Sequence, residues 1–135
     1  MNSSLTIKEV AAETGLTAYT LRYYERIGLI APIKRAHSGQ RRYATSDMDW
    51  LKFLLRLRAT NMPILQMQAF ANLRAKGVAT TAKRREILVQ HLQQVSADMR
   101  ELKRSVKILQ AKIQHYQVLE LDLAQQSKPI KKEKS

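Results

Sequence analysis

Apolar side chains recur along the second half of the chain with spacings that alternate four and three. They are Leu88, Leu92, Val95, Met99, Leu102, Val106, Leu109, Ile113 and Tyr116. Residues so placed fall on one stripe of a helix, and an uninterrupted heptad stripe is the pattern of a coiled coil. No breaker interrupts the run from Thr80-Thr81 to Ser127-Lys128-Pro129, so a single helix is expected over 80–124. At 1.5 Å per residue the seam runs on the order of 40 Å. A preceding head of about 75 residues is only about 25 Å across. Much of the seam therefore has nothing of its own to cover it. A second copy of the chain is the economical partner; folding back on the preceding helices, or binding another protein, are the alternatives. The seam does not reveal helix orientation. The next heptad position is Glu120, so the register weakens there, with Leu119, Leu121 and Leu123 close by.

The first 76 residues carry shorter periods. Thr6-Ile7-Lys8-Glu9 reads as a capping box, in which the Thr6 hydroxyl and the Glu9 carboxylate satisfy each other's backbone amides. Ile7, Val10 and Ala11 form the apolar stripe of a short helix that ends near Thr14, before Gly15, with Leu16 turned inward. Thr17 is an N-cap for a second helix that runs to Ile27 and stops at Gly28. Two short helices about a glycine-containing turn, over residues 8–27, form a helix-turn-helix. Thr45 or Ser46 is expected to cap a third helix, with Trp50, Leu51, Phe53, Leu54 and Leu57 inward and Lys52, Arg56 and Arg58 outward. Asn61-Met62-Pro63 breaks it. A fourth helix starting at Pro63 carries Ile64, Met67, Phe70 and Ala71 to Gly77, with Met62 and Met67 as core filler.

Within the second helix, Tyr19, Arg22, Tyr23 and Arg26 lie at i, i+3, i+4 and i+7 and share a face. Leu21, Tyr24 and Ile27 occupy another face, suited to the core. Two arginines and two tyrosines on one stripe suit a polyanion: guanidinium binds guanine or phosphate, and tyrosine offers a hydroxyl and a ring. Beyond Leu29-Ile30-Ala31-Pro32, the segments Ile33-Lys34-Arg35 and Arg41-Arg42-Tyr43 flank the turn His37-Ser38-Gly39-Gln40. That is a two-stranded hairpin over about 33–44, a wing carrying Lys34, Arg35, Arg41 and Arg42.

Charge agrees with this reading. Against 11 Asp+Glu stand 24 Lys+Arg, a formal net of +13. The excess is +7 over residues 1–76 (12 basic, 5 acidic) and +6 over 77–135 (12 basic, 6 acidic). Lys128, Lys131, Lys132 and Lys134 fall in a basic stretch, 125–135, expected to be a disordered tail. No apolar run approaches the ~20 residues of a spanning helix, and no secretory signal opens the chain, so no membrane association and a cytoplasmic location are expected. There is no cysteine, which removes disulfides and thiolate metal sites. His37, His91 and His115 make no metal pair, and no phosphate-binding glycine loop or catalytic constellation occurs. The expectation is no enzyme, no cofactor and no metal.

The motifs combine into a resemblance. Thr20-Leu21-Arg22-Tyr23-Tyr24-Glu25, Ile27-Gly28-Leu29-Ile30, Ser38-Gly39 followed by Arg42-Tyr43, and Asp47-Met48-Asp49-Trp50-Leu51 resemble the N-terminal domain of the MerR family. The resemblance covers roughly the first 75 residues. It implies a mainly α fold: a winged helix-turn-helix head with a small β-hairpin wing, then a long helix paired antiparallel in a homodimer. It also implies a bacterial, nucleoid-associated regulator of transcription that binds double-stranded promoter DNA and bends and untwists the promoter spacer for RNA polymerase. On that reading Thr17, Ala18 and Tyr19 start the recognition helix. Arg22, Tyr23 and Arg26 face DNA, and Lys34, Arg35, Arg41, Arg42 and Tyr43 belong to the wing. The stretch from Trp50 to Pro63 is most similar to a branch answering aldehydes and other electrophiles. That branch often has a cysteine near Arg56, absent here, so any small-molecule effector is unknown. An architectural or excisionase-like DNA-bending protein shares the winged head, and a coiled-coil adaptor shares the helix. The long seam disfavours the former, and the Arg-Tyr stripe with the wing disfavours the latter.

Overall fold

The computed structural model describes residues 4–127. The elements in chain order are β1 (Leu5–Thr6), α1 (Ile7–Thr14), α2 (Ala18–Arg26), β2 (Arg42–Tyr43), α3 (Thr45–Ala59), α4 (Ile64–Ala75) and α5 (Thr81–Gln126). A 3-10 turn, Val78–Thr80, precedes α5. Lys128, Lys131, Lys132 and Lys134 lie outside the described residues, while 125 and 126, expected in the tail, still belong to α5.

The first helix is capped as its sequence predicts. The Glu9 N–H donates to Thr6 Oγ1 at 3.2 Å, and the Thr6 N–H donates to Glu9 Oε1 at 3.0 Å. That amide bond holds the Glu9 carboxyl below its ordinary value. Gly15 takes φ of 74°, the left-handed value that closes α1 and turns the chain into α2. Thr17 caps α2, its Oγ1 accepting from the Thr20 N–H at 3.0 Å. At α3 the cap differs from expectation. Neither Thr45 nor Ser46 fills the role; Ala44 stands at the N-cap, and its N–H donates to Asp47 Oδ2 at 2.8 Å. Alanine has no capping oxygen, so the carboxylate of the first turn does the work, favoured there by the helix dipole.

The β-structure is also rearranged relative to the expected hairpin. β1 pairs antiparallel with β2, Leu5 opposite Tyr43 and Thr6 opposite Arg42. The hairpin partner is reduced to a single bridge between Arg35 and Arg41 and an Arg42 N–H to Lys34 carbonyl bond of 2.7 Å. β2 is thus flanked on both sides, by the N-terminal segment and by the wing.

Two compact units divide the chain, one up to Leu92 and one from Gln93 onward, so the boundary falls within α5. In the first, Val10, Leu21, Tyr24, Leu29, Leu51 and Leu54 are among the buried residues that bring α1, α2 and α3 together. Met62, Met67 and Phe70 extend this core into α4. Ile87 and Leu88 are partly buried against it. Leu88, expected to open the seam between two copies, therefore packs on its own head: the first turns of α5 belong to the head's compact unit. Thr60 Oγ1 lies 2.7 Å from His91 Nε2, a second tie between α3 and α5 within that unit. One inward assignment is corrected by exposure: Phe53 is 37% exposed, and Ile64 on α4 is 42% exposed, while Met48, Met67 and Phe70 are buried. In the second unit the seam residues Met99, Leu102, Val106, Leu109, Ile113 and Tyr116 are each at least half exposed in the single chain.

Trp50 joins the layers. Its ring stacks on Phe70 at 5.8 Å, Arg74 lies 4.5 Å from its centroid, and Nε1 donates to the buried Leu29 carbonyl at 2.8 Å. Trp50→Phe keeps the aromatic packing and removes the donor, leaving a buried carbonyl unpaired. We expect it to cost about 1–3 kcal/mol, read in urea as a lower midpoint at unchanged m-value. An unchanged midpoint would mean that water or another donor replaces the indole.

Candidate nucleic-acid interface

A helix of nine residues presents the site. Leu21 and Tyr24 are buried, while Tyr19, Arg22, Tyr23 and Arg26 are exposed, so the helical period separates a core face from a solvent face as the sequence predicts. On the solvent face Tyr19 is 71% and Tyr23 37% exposed. The Arg26 guanidinium sits 5.4 Å from the Tyr23 centroid, a cation–π contact that steadies both side chains without consuming the arginine's donors. Thr17 is exposed at the N-cap and Ala18 is half-buried beside it. This end of α2 is the positive pole of the helix, which suits a phosphate.

The opposite end of α2 is held from three directions. The Gln68 amide, on α4, donates to the Ile27 carbonyl at 2.9 Å. Trp50 on α3 takes the Leu29 carbonyl, and Arg58 on α3 donates to Tyr24 Oη at 3.0 Å. These three residues position the solvent face of α2, and sequence reasoning assigned none of them that role. A buried tryptophan must find an acceptor for its N–H, which is a usable signal; for Gln68 the sequence carries none. Arg58, expected simply outward, bonds across to α2.

The wing residues fall into two groups. Lys34, Arg35 and His37 are exposed about the turn. Arg35 Nη1 donates to the Gly39 carbonyl at 2.8 Å, bracing the turn, and the Ala36 N–H to Gln40 carbonyl bond of 2.8 Å closes it. Arg41 and Arg42 are half-buried and already paired. Arg41 Nε meets Glu25 Oε1 at 2.9 Å, while Arg42 donates to the Ser4 hydroxyl and carbonyl at 3.0 and 3.2 Å.

Tyr43 is a correction. Expected among the wing's contact residues, it is fully buried, with its ring in the core and its hydroxyl without a hydrogen-bond partner. The alternation of the strand explains this: Arg42 and Tyr43 must point to opposite faces, and the apolar ring takes the inner one. Burial pushes its pKa above the ordinary 10.0. Among the described residues, no group of three or more His, Asp or Glu side chains is placed to hold a metal, and no helix is long and apolar enough to cross a membrane.

Comparison with known proteins places this arrangement. Residues 5–72 match the family described as MerR HTH family regulatory protein. The transcriptional regulator AdhR of Bacillus subtilis is 40% identical over 91 residues, which are 67% of this chain and 65% of that protein, slightly under two thirds of its length. The regulator YyaN of the same organism is 34% identical over 122 residues, 82% of this chain and 88% of YyaN. Among solved structures, HiNmlR, a MerR family regulator lacking the sensor domain and bound to promoter DNA, superposes with a TM-score of 0.81. It shares 30% sequence identity, and the match covers 87% of this chain and 94% of HiNmlR.

The unpaired Tyr43 hydroxyl yields a prediction. Tyr43→Phe removes a buried polar group that has no partner, so stability is expected to hold or rise by about 1 kcal/mol. Because burial raises the folded pKa, the wild type should lose stability as pH climbs past about 10, a limb the variant should lack. DNA affinity should not change. Lost affinity at unchanged stability would put the hydroxyl in contact with the ligand.

Proposed function

The chain belongs to the MerR family of helix-turn-helix regulatory proteins, DNA-binding regulators of transcription, and from that premise we propose that it acts as a homodimer on a pseudo-palindromic promoter site. The observation that carries this reading is the solvent face of α2. Tyr19, Arg22, Tyr23 and Arg26 stand free of the core, on a helix held at its far end by α3 and α4. On this reading α2 enters the major groove, with Thr17 and Ala18 at its start, Arg22 binding a base edge or phosphate, and Tyr23 spanning ring and backbone contacts. Lys34 and Arg35 of the wing meet the adjacent backbone. The promoter DNA bound by HiNmlR supports the same mode of use for a head of this fold.

Dimerisation rests on the seam. Leu92, Met99, Leu102, Val106, Leu109, Ile113 and Tyr116 offer water an apolar stripe along α5. Exposed stripes of this length are covered by another surface, and a second α5, antiparallel across a two-fold axis, covers it with its own kind. Two heads joined by a stiff coil then meet the duplex at a fixed separation, which accounts for a pseudo-palindromic site. Binding bends and untwists the promoter spacer so that RNA polymerase engages both of its elements. The cysteine that the electrophile-responsive branch often carries near Arg56 is absent, so that branch's chemistry is not carried over to this chain.

A DNase footprint tests the reading: a symmetric protected site within a promoter spacer is expected, and uniform, sequence-independent protection would contradict it. Arg22→Ala should weaken operator binding by about 1–3 kcal/mol, followed by fluorescence anisotropy at fixed salt. If Arg22 reads a base, the loss disappears on nonspecific duplex; unchanged affinity on every sequence would remove Arg22 from the interface. Leu102→Glu with Leu109→Glu should dissociate the dimer, each leucine contributing roughly 1.5–3 kcal/mol when buried. Sedimentation of the wild-type chain as a monomer at micromolar concentration would overturn the seam's role.

A further inference from the structure

A glutamate in the last turn of a DNA-facing helix is electrostatically out of place. Glu25 sits one residue before the C-terminal end of α2, where the helix dipole is negative and a carboxylate is unfavourable. It also lies between Arg22 and Arg26 on an element proposed to approach phosphates. The structure supplies a local reason for it. Glu25 Oε1 accepts from Arg41 Nε at 2.9 Å, and the two side chains are only 17% and 18% exposed. The contrast is the surface pair of Arg104 and Glu101, 3.5 Å apart on one helix, with side chains 72% and 69% exposed. The Glu25–Arg41 pair instead joins residues sixteen apart in sequence, from α2 to the base of the wing. There Arg41 also forms the bridge to Arg35 that defines the wing's neck.

We propose that Glu25 and Arg41 are a positioning pair that fixes the wing at a set distance from the recognition helix, and that Arg41 makes no phosphate contact of its own. This deepens the DNA-binding reading and rests on it. Beyond the β1–β2 pairing, side chains tie the wing to the rest of the head through the Arg41–Glu25 pair on one side and the Arg42–Ser4 bonds on the other. The cations left facing outward are Lys34 and Arg35. Splitting a half-buried ion pair to give its arginine to a phosphate would leave the Glu25 anion unpaired beside that same phosphate.

The test uses the full chain, and its two double variants conserve net charge. Operator affinity is measured across a salt series for the wild type, for Glu25→Gln/Arg41→Gln, for Arg41→Glu, and for the exchanged pair Glu25→Arg/Arg41→Glu. A lost phosphate contact lowers the slope of log affinity against log salt by roughly 0.9 per head. The neutral pair should leave the slope unchanged, whereas Arg35→Met should lower it. The exchanged pair should bind at least about tenfold more tightly than Arg41→Glu alone, since it restores the strut. A slope lowered by the neutral pair, or an exchanged pair no better than Arg41→Glu, would overturn the proposal. Hydrogen exchange without DNA gives a second readout. The Ala36 and Arg42 amides of the wing should exchange faster in Glu25→Gln, and unchanged exchange would likewise overturn it. A wild-type chain that binds no duplex defeats the DNA-binding reading itself, and hydrogen exchange then still decides whether the pair holds the wing.

Discussion

Nine residues make too few backbone hydrogen bonds for a helix to persist in water, and α2 persists because its C-terminal end is bonded into two other helices. Trp50 and Gln68 take the Leu29 and Ile27 carbonyls, and Arg58 takes the Tyr24 hydroxyl. Ile27 is the C-cap of α2 and Leu29 lies in the turn beyond it, so the donors from α3 and α4 tie down the chain where it leaves α2 and help set where the solvent face points. The orientation of Arg22 and Tyr23 is thereby decided by side chains far along the sequence. The wing follows from the same arrangement, because Glu25, on the held helix, carries Arg41.

The head is closed on one further side by the chain that leaves it. Ile87 and Leu88 pack on the core and His91 meets Thr60, so α5 starts as a component of the head rather than as a linker. Residues 81–126 contain neither proline nor glycine, and the same helix that closes the head continues into the seam. In the homodimer we propose, the pairing of two α5 seams sets the separation of the heads. On the proposed mechanism, deforming the duplex costs on the order of 1–6 kcal/mol, which several phosphate contacts per head offset.

Much of this was legible in the residues, and the reasons are local. Thr6 with Glu9, Thr17, Gly15 and Gly28 act within four residues of themselves, so caps and helix ends can be read directly. The periods of 3.5 and 3.6 in α5 and α2 likewise need no tertiary information. The errors lie where distant elements compete. β1 is two residues long and exists only because β2 offers it an edge, so no strand pattern announces it. Tyr43 looked like a contact residue beside two arginines, yet its side of the strand is decided by pairing with Leu5 and by the core beneath. Leu88 obeys the heptad spacing as well as Leu92 does. Only the proximity of the head's core separates the partly buried one from the exposed one. Gln68, with no pattern around it, was invisible for the same reason.

What distinguishes the proposed mechanism from simple recruitment of polymerase is that the duplex is deformed between two heads. Transcription from the target promoter should be measured with its spacer shortened stepwise toward the length polymerase engages unaided. Activation is predicted to fall as the spacer shortens and to turn into repression once the elements are already aligned. Equal activation at every spacer length would contradict the account.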